Sequence, residues 1–217
     1  MVFACTPARA QSVQVASPIA FLLDVGTNGM LFDKKADEPH PPGSVMKLLT
    51  AETVFKALKD GEITPEQEFP ITEQVWRRGG APAGSVAMFA PLNSRVSVAN
   101  LLQGLVVQSA NDAALALADG IARSEAAFVQ RMQERAKAIG LTRFEARNAT
   151  GYAHPEQRVS ARDAAKLTLH IIGSYPERFP LFSQREFTWN NIRQTNRNPL
   201  IAMNIGADGM MGGMVQD

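Results

Sequence analysis

Two side chains near residue 45 have the types and spacing of a nucleophile and its base. Ser44 and Lys47, in the segment Ser44-Val-Met-Lys47, are one helical turn apart, so a helix would place both on one face. A serine hydroxyl needs an adjacent base, and lysine can be that base only when its pKa is lowered toward neutrality. The N–H groups at the helix N-terminus could stabilise an oxyanion. On spacing alone, a capping serine and a solvated lysine are the commoner arrangement.

A second polar motif, Ser109-Ala-Asn111, separates two apolar stretches that have helical periodicity. Polar side chains on a short loop between buried helices require partners, because burial of an unpaired polar group is costly. Ser109 can relay a proton, and Asn111 can bind an amide. An ordinary helix break with asparagine as a turn residue is the structural alternative.

The first of these motifs follows a predicted hairpin. Residues 20–25 and 30–33 have strand character and flank the turn Gly26-Thr-Asn-Gly29. Pro41-Pro42-Gly43 disfavours a helix up to that point, and the apolar residues that follow recur at helical spacing. A buried helix is therefore predicted to begin at or beside Ser44.

The remainder of the chain is dominated by predicted helices. Residues 61–95 contain four prolines and a Gly-rich stretch, and are predicted to form short strands and loops. Strand and loop character returns over residues 189–205. Strands, then many helices, then strands indicate an α+β fold. Helices are predicted over residues 96–107, 112–122, 124–140 and 160–173.

Composition excludes several classes of function. The 217 residues include 22 Lys plus Arg and 21 Asp plus Glu, for a net charge of +1, so no nucleic-acid or anionic membrane surface is indicated. A single cysteine precludes an intrachain disulfide and a Cys-based zinc site, and the three histidines lack metal-ligand spacing. No apolar run approaches the length of a transmembrane helix.

Together the two motifs resemble those of the penicillin-recognising serine acyltransferases. Ser44-Val-Met-Lys47 after Pro41-Pro42 resembles the Ser-x-x-Lys motif, and Ser109-Ala-Asn111 the Ser-x-Asn motif. The similarity is greatest to the low-molecular-mass penicillin-binding proteins that are D-alanyl-D-alanine carboxypeptidases, and it covers about residues 18 to 213. Supporting stretches include Thr50-Ala-Glu-Thr-Val-Phe55, Asn148-Ala-Thr-Gly-Tyr152, Ser160-Ala-Arg-Asp163, Asn196-Arg-Asn-Pro-Leu200 and Gly206-Ala-Asp-Gly209.

The resemblance implies a β-lactamase/transpeptidase-like fold, with an antiparallel sheet and a mostly helical subdomain. It implies that Ser44 attacks the carbonyl between the terminal D-alanines of a peptidoglycan stem peptide, with Lys47 as proton acceptor. Ser109 would pass the proton to the leaving amine, and Asn111 would hold the substrate amide. β-Lactams would acylate Ser44 in the same way. No cofactor or metal is implied, and the protein would be periplasmic.

The third family motif, Lys-Thr-Gly, is replaced here by Met211-Gly212-Gly213. In the family this motif binds the substrate's terminal carboxylate, and the next residue, here Met214, supplies the second oxyanion N–H. Loss of the ammonium and hydroxyl groups removes charge-assisted contacts worth about 1.5–3 kcal/mol each, roughly a tenfold to hundredfold loss of activity. Loss of the positive charge would also tend to raise the pKa of Lys47.

Two further predictions concern the ends of the chain. Ala8-Arg9-Ala10 resembles the end of a secretory signal peptide, so residues 1–12 are interpreted as a signal remnant. Residues 13–217 are interpreted as a C-terminally truncated catalytic domain. Two alternatives to an active carboxypeptidase remain open: an impaired pseudoenzyme that at most binds stem peptides or β-lactams, and a β-lactamase, for which no deacylating carboxylate is identified.

Overall fold

The helix Met46–Lys59 (α1) lies at the centre of the hydrophobic core. In the computed structural model, which describes residues 14–213, most of its side chains are buried, as expected for a helix surrounded by others. It packs against α3 (Val98–Val107), α4 (Asn111–Ala122), α5 (Glu125–Ile139) and α6 (Ala161–Ser174). A three-residue 3-10 turn, Gly43–Val45, leads directly into α1, which confirms the helix predicted to begin beside Ser44.

The boundaries of the longer helices are set by side-chain caps that the sequence indicates. The hydroxyls of Ser97, Ser124 and Ser160 each accept a hydrogen bond from the backbone N–H three residues later. Gly140 ends α5 in the left-handed conformation, with φ of 80°. The predicted helices are therefore confirmed, with small shifts at their ends.

The short helix α2 (Glu73–Gly79) corrects the prediction of only strands and loops for residues 61–95. It has seven residues, capped by Thr72, and only Val75 and Gly79 are buried, so no hydrophobic period can develop over its length. A second short helix, α7 (Pro199–Met203), lies within the stretch predicted as strand and loop.

The strands form four separate antiparallel pairs within residues 14–213, rather than one continuous sheet. The predicted hairpin is confirmed as β1 with β2, and an isolated bridge between His40 and Val159 joins the segment before Ser44 to β6. None of the helices in this part of the chain has the length and apolar character required to span a bilayer. The pairs are β1 (Ala20–Asp24) with β2 (Gly29–Lys34), β3 (Glu68–Pro70) with β4 (Arg95–Ser97), β5 (Phe144–Glu145) with β6 (Arg158–Val159), and β7 (Glu186–Trp189) with β8 (Ile192–Thr195).

A buried carboxylate joins α1 to α5 and α6. Glu52 is fully buried and accepts hydrogen bonds from Arg135 at 2.6 Å, from Tyr175 at 3.0 Å and from the His170 ring at 3.2 Å. Burial, followed by the Glu52 charge, raises the pKa of Tyr175, so its hydroxyl stays a donor. This network fixes the helix that carries Lys47 against its neighbours.

We expect Glu52→Gln to lower the free energy of unfolding by about 3 kcal/mol, because it leaves a partly buried guanidinium without its counter-ion. Urea denaturation followed by circular dichroism would measure the change. Glu62→Gln, which breaks an exposed pair with Arg131, is the matched control and should cost below about 1 kcal/mol. Equal effects of the two substitutions would contradict a structural role for the buried network.

Candidate active site

A cavity of about 750 Å³ opens beside the N-terminus of α1. Ser44 and Lys47 line it together with Asn111 of the second motif, so three of the predicted site residues share one cavity. Ser109 does not line it and is buried next to Asn111. The structure thus brings the first two motifs to one place in the fold.

Lys47 is directed at Ser44 and is otherwise enclosed. Its Nζ lies 3.4 Å from Ser44 Oγ and donates to the backbone oxygen of Thr150 at 2.5 Å. The side chain is 1% exposed, and within residues 14–213 it forms no ion pair. Burial lowers the pKa of Lys47 to about 7. A lysine with this pKa is substantially neutral at physiological pH and can accept the proton of Ser44.

Burial has a larger effect on the pKa of Lys47 than the missing third-motif lysine does. The sequence argument predicts a higher pKa for Lys47, because a neighbouring cation is absent. In the structure desolvation dominates and acts in the opposite direction, since the ammonium form would be buried without a counter-ion. Burial in the core therefore gives Lys47 the pKa that a base would need.

The loop from residue 148 to 152 holds Lys47 in place. Asn148 Oδ1 accepts hydrogen bonds from the backbone N–H of Thr150 and of Gly151, and its Nδ2 donates to the carbonyl of Tyr152. Gly151 has φ of +85°, and a Cβ there would lie 1.9 Å from the carbonyl oxygen of Gly43. Only glycine fits this contact, which presses the loop against the turn that carries Ser44.

The side chain of Asn111 is oriented by a chain of hydrogen bonds. Tyr152 Oη donates to the carbonyl of Arg78 at 2.7 Å, so it accepts from Ser85 Oγ at 2.9 Å. Ser85 then accepts from Asn111 Nδ2 at 3.2 Å. This order fixes which end of the amide is Nδ2, and it leaves one N–H of that group for a ligand.

Two polar atoms of the second motif are buried without a partner. Within residues 14–213 four buried side-chain polar atoms lack a hydrogen bond, and Ser109 Oγ and Asn111 Oδ1 are two of them. Ser109 also has φ of 59°, which is uncommon for a residue other than glycine. Unsatisfied polar atoms and unusual backbone angles concentrate at functional sites.

Asp112 holds the chain segment that follows Ser85, one of the residues that line the cavity. Its buried carboxylate accepts hydrogen bonds from the backbone N–H of Met88 at 2.9 Å and of Ala90 at 3.2 Å. Burial raises the pKa of Asp112, against these hydrogen bonds. Asp112 therefore fixes the backbone that follows the cavity-lining residues Ser85 and Val86.

The third-motif segment reaches Ser44 through its glycines. A Cβ on Gly213 would lie 3.2 Å from the backbone nitrogens of Ser44 and Val45, so a side chain there would crowd the N–H groups of these two residues. Met211 packs against the hydrophobic core, and the segment from residue 204 to 213 forms no strand. Met214 and the proposed signal remnant, residues 1–12, lie outside the described residues.

Arg197 supplies a cation beside this segment. It lines the same cavity, and its carbonyl oxygen lies 3.5 Å from the Cβ position of Gly212. Its backbone N–H donates to Val107, and Asn198 Nδ2 donates to the carbonyls of Gly209 and Met210. Within residues 14–213 its guanidinium pairs with no carboxylate.

Sequence reasoning assigned no role to several residues that build this site. Ser85, Asn148, Tyr152 and Arg197 act through contacts that are distant in sequence, so local patterns do not reveal them. Two of the stretches used for the resemblance, Asn148-Ala-Thr-Gly-Tyr152 and Asn196-Arg-Asn-Pro-Leu200, contain three of the four. Those stretches were the available signal.

Comparison with known proteins identifies relatives whose sequences match almost the whole chain. The D-alanyl-D-alanine carboxypeptidase DacC of Escherichia coli is 37% identical over 211 residues, which cover 95% of this chain and 53% of that protein. The D-alanyl-D-alanine carboxypeptidase DacA of Haemophilus influenzae is 35% identical over 201 residues, covering 92% of this chain and 51% of that protein. The chain spans about half the length of these relatives.

Solved structures of similar proteins have the same fold as this chain. Penicillin binding protein 5 of Haemophilus influenzae superposes with a TM-score of 0.90 at 35% identity, covering 95% of this chain and 60% of that one. The carboxypeptidase DacD of Francisella tularensis gives a TM-score of 0.91 at 25% identity, covering 99% of this chain and 63% of that one. The family described as D-alanyl-D-alanine carboxypeptidase (peptidase S11) matches residues 6–217. The chain is a member of the D-alanyl-D-alanine carboxypeptidase family of penicillin-binding proteins.

Proposed function

We propose that this chain carries the catalytic site of a serine-type D-Ala-D-Ala carboxypeptidase. The observation that supports this most directly is the buried Lys47, with its Nζ 3.4 Å from Ser44 Oγ and a pKa lowered to about 7. The substrate is a peptidoglycan stem peptide that ends in D-Ala-D-Ala, and the activity belongs in the periplasm, where such peptides lie. β-Lactams acylate the same serine.

In the proposed reaction Lys47 takes the proton of Ser44 as its Oγ attacks the carbonyl between the two D-alanines. The backbone N–H groups at the start of the turn Gly43–Val45 stabilise the oxyanion. The C–N bond then breaks, and the proton that Lys47 took from Ser44 passes to the amine of the departing D-alanine. The relay predicted for Ser109 requires its hydroxyl to reach the cavity, which it does not line. Water hydrolyses the ester on Ser44 and releases the shortened peptide.

The terminal carboxylate of the substrate requires a cation near the third-motif segment. Met211 offers none, whereas Arg197 lines the cavity and its carbonyl oxygen lies 3.5 Å from the Cβ position of Gly212. We assign to Arg197 the carboxylate contact, because a guanidinium can bind a carboxylate with two parallel hydrogen bonds. Asn111 holds the amide of the residue before the scissile bond.

The test combines two measurements on the purified chain. Release of D-alanine from N-acetyl-L-lysyl-D-alanyl-D-alanine reports turnover, and intact-mass spectrometry after incubation with benzylpenicillin reports acylation. We expect both activities in the parent chain and neither in Ser44→Ala. A folded parent that gives no covalent adduct would overturn the assignment of Ser44 as a nucleophile.

Impaired turnover is the second candidate function, and the replacement of Lys-Thr-Gly by Met211-Gly212-Gly213 favours it. An impaired protein would form the penicilloyl adduct and release no D-alanine, because β-lactams carry a strained bond that needs less help from the carboxylate contact. The same pair of measurements therefore separates the two candidates.

A further inference from the structure

Glu125 is the first residue of α5, and both oxygens of its carboxylate bind groups outside that helix. Its Oε2 accepts a hydrogen bond from Arg78 Nη2 at 2.8 Å, and its Oε1 accepts one from the backbone N–H of Ala149 at 3.1 Å. The side chain is 12% exposed. A glutamate in the first turn is favourable for the helix dipole whichever partners it binds. The choice of these two partners therefore needs a separate explanation.

The first partner belongs to the end of α2 that packs against Asn111. Gly79 follows Arg78 on this helix. A Cβ on Gly79 would lie 2.6 Å from the backbone nitrogen of Asp112 and 2.7 Å from the carbonyl carbon of Asn111. The two backbones are in direct contact, so a displacement of α2 would also displace Asn111. The carbonyl of Arg78 accepts the hydrogen bond from Tyr152 with which the chain to the Asn111 amide begins.

The second partner belongs to the loop that encloses Lys47. Ala149 precedes Thr150, whose carbonyl accepts the hydrogen bond from Lys47 Nζ at 2.5 Å. The carbonyl of Ala149 accepts a hydrogen bond from Thr50 Oγ1, on α1, at 2.7 Å. Ala149 is thus held at its carbonyl by α1 and at its N–H by Glu125. These two anchors fix the residue next to the acceptor of Lys47.

We propose that Glu125 is a positioning residue for the proposed reaction, which fixes Lys47 through the loop of residues 148–152 and Asn111 through α2. Glu125 does not line the cavity, so it acts through these neighbours and not on the substrate. The proposal rests on the proposed function, because that function gives Lys47 and Asn111 their roles. It deepens that function by adding a residue outside the cavity that sets the rate of acylation.

Two β-lactams separate an effect on Lys47 from an effect on Asn111. Benzylpenicillin carries a side-chain amide for Asn111 to bind, whereas 6-aminopenicillanic acid has the same ring system with a free amine in place of that amide. Acylation by either compound requires Lys47. The rate with 6-aminopenicillanic acid, measured by intact mass, therefore reports Lys47, and the ratio of the two rates reports Asn111. A loss of folded protein would lower both rates equally and leave the ratio unchanged.

We expect Glu125→Ala to slow acylation by 6-aminopenicillanic acid about tenfold and by benzylpenicillin about a hundredfold, because small displacements of reacting groups have effects of this size. Arg78→Met removes the contact with α2 and keeps the contact with Ala149. It should slow benzylpenicillin about tenfold and change the rate with 6-aminopenicillanic acid less than about twofold. The matched control is Glu134→Ala, at an exposed position of α5, which should leave both rates unchanged.

Parent rates in Glu125→Ala would overturn the positioning role. Equal slowing of the two β-lactams, in Glu125→Ala or in Arg78→Met, would also overturn it, since a general loss of structure has that signature. Arg78 is 43% exposed, so its substitution keeps the test available if Glu125→Ala does not fold. Failure of the proposed function is distinct, because it appears in the parent chain itself as absence of the penicilloyl adduct and of D-alanine release.

Discussion

Replacement of Lys47 by methionine is expected to slow the acylation of Ser44 by benzylpenicillin by about a thousandfold, the size of effect typical of a lost general base. Methionine has a similar length and an apolar end, so it suits a site that is 1% exposed and costs little stability. The measurement is the second-order rate of adduct formation by intact mass, with circular dichroism of both proteins as the folding control. Acylation of the variant at the parent rate would exclude Lys47 as the base.

The same mechanism predicts a pH profile for the parent chain. Only neutral Lys47 accepts a proton, and burial lowers its pKa to about 7. The acylation rate should therefore rise about tenfold per pH unit below pH 7 and level off above it. An unburied lysine would give a rate that continues to rise toward its ordinary pKa of 10.5. Such a continued rise would contradict the desolvated base.

Restoration of the third motif should produce the second large change. We expect Met211→Lys combined with Gly212→Thr to raise kcat/KM for a D-Ala-D-Ala peptide by roughly tenfold to hundredfold, because each charged hydrogen bond to the carboxylate contributes about 1.5–3 kcal/mol. Gly213 already lies against Ser44, whereas Met211 packs against the hydrophobic core, so the gain requires the new lysine side chain to turn towards the cavity. Steady-state assays of D-alanine release would measure the gain.

The matched control for this gain is Met203→Lys, which adds a lysine to an exposed position of α7. It should leave kcat/KM unchanged. If the double substitution raises activity no more than this control does, the third-motif segment does not contact the substrate carboxylate, and Arg197 alone accounts for its binding.

The longer helices could be predicted from the sequence because their signals are local. Ser124 and Gly140 mark both ends of α5, and apolar residues recur with the helical period between them. The seven-residue α2 was missed for the corresponding reason: it is too short for a period, and its two buried residues pack against distant parts of the chain. The separation of the strands into four pairs likewise depends on long-range packing.

The candidate site likewise has features that could be predicted from the sequence and features that depend on the tertiary fold. Ser44 and Lys47 are one helical turn apart, so their proximity follows from the sequence alone. The acceptor for Lys47 is the carbonyl of Thr150, and the contact of Gly151 with Gly43 depends on the tertiary fold. The burial that lowers the pKa of Lys47 is also a property of the packed core. Residue types predict the nucleophile and the base, and tertiary contacts lower the pKa of the proposed base.

The hydrogen bond from Lys47 to the carbonyl of Thr150 joins residues that are 103 positions apart. Contacts this distant in sequence form late in folding, because the intervening chain must be ordered first. We therefore expect the serine to stay unreactive during folding until the loop of residues 148–152 has docked. Covalent labelling by a fluorescent penicillin would then count only molecules that have completed folding, and the time course of labelling after dilution from urea would follow the last step of assembly.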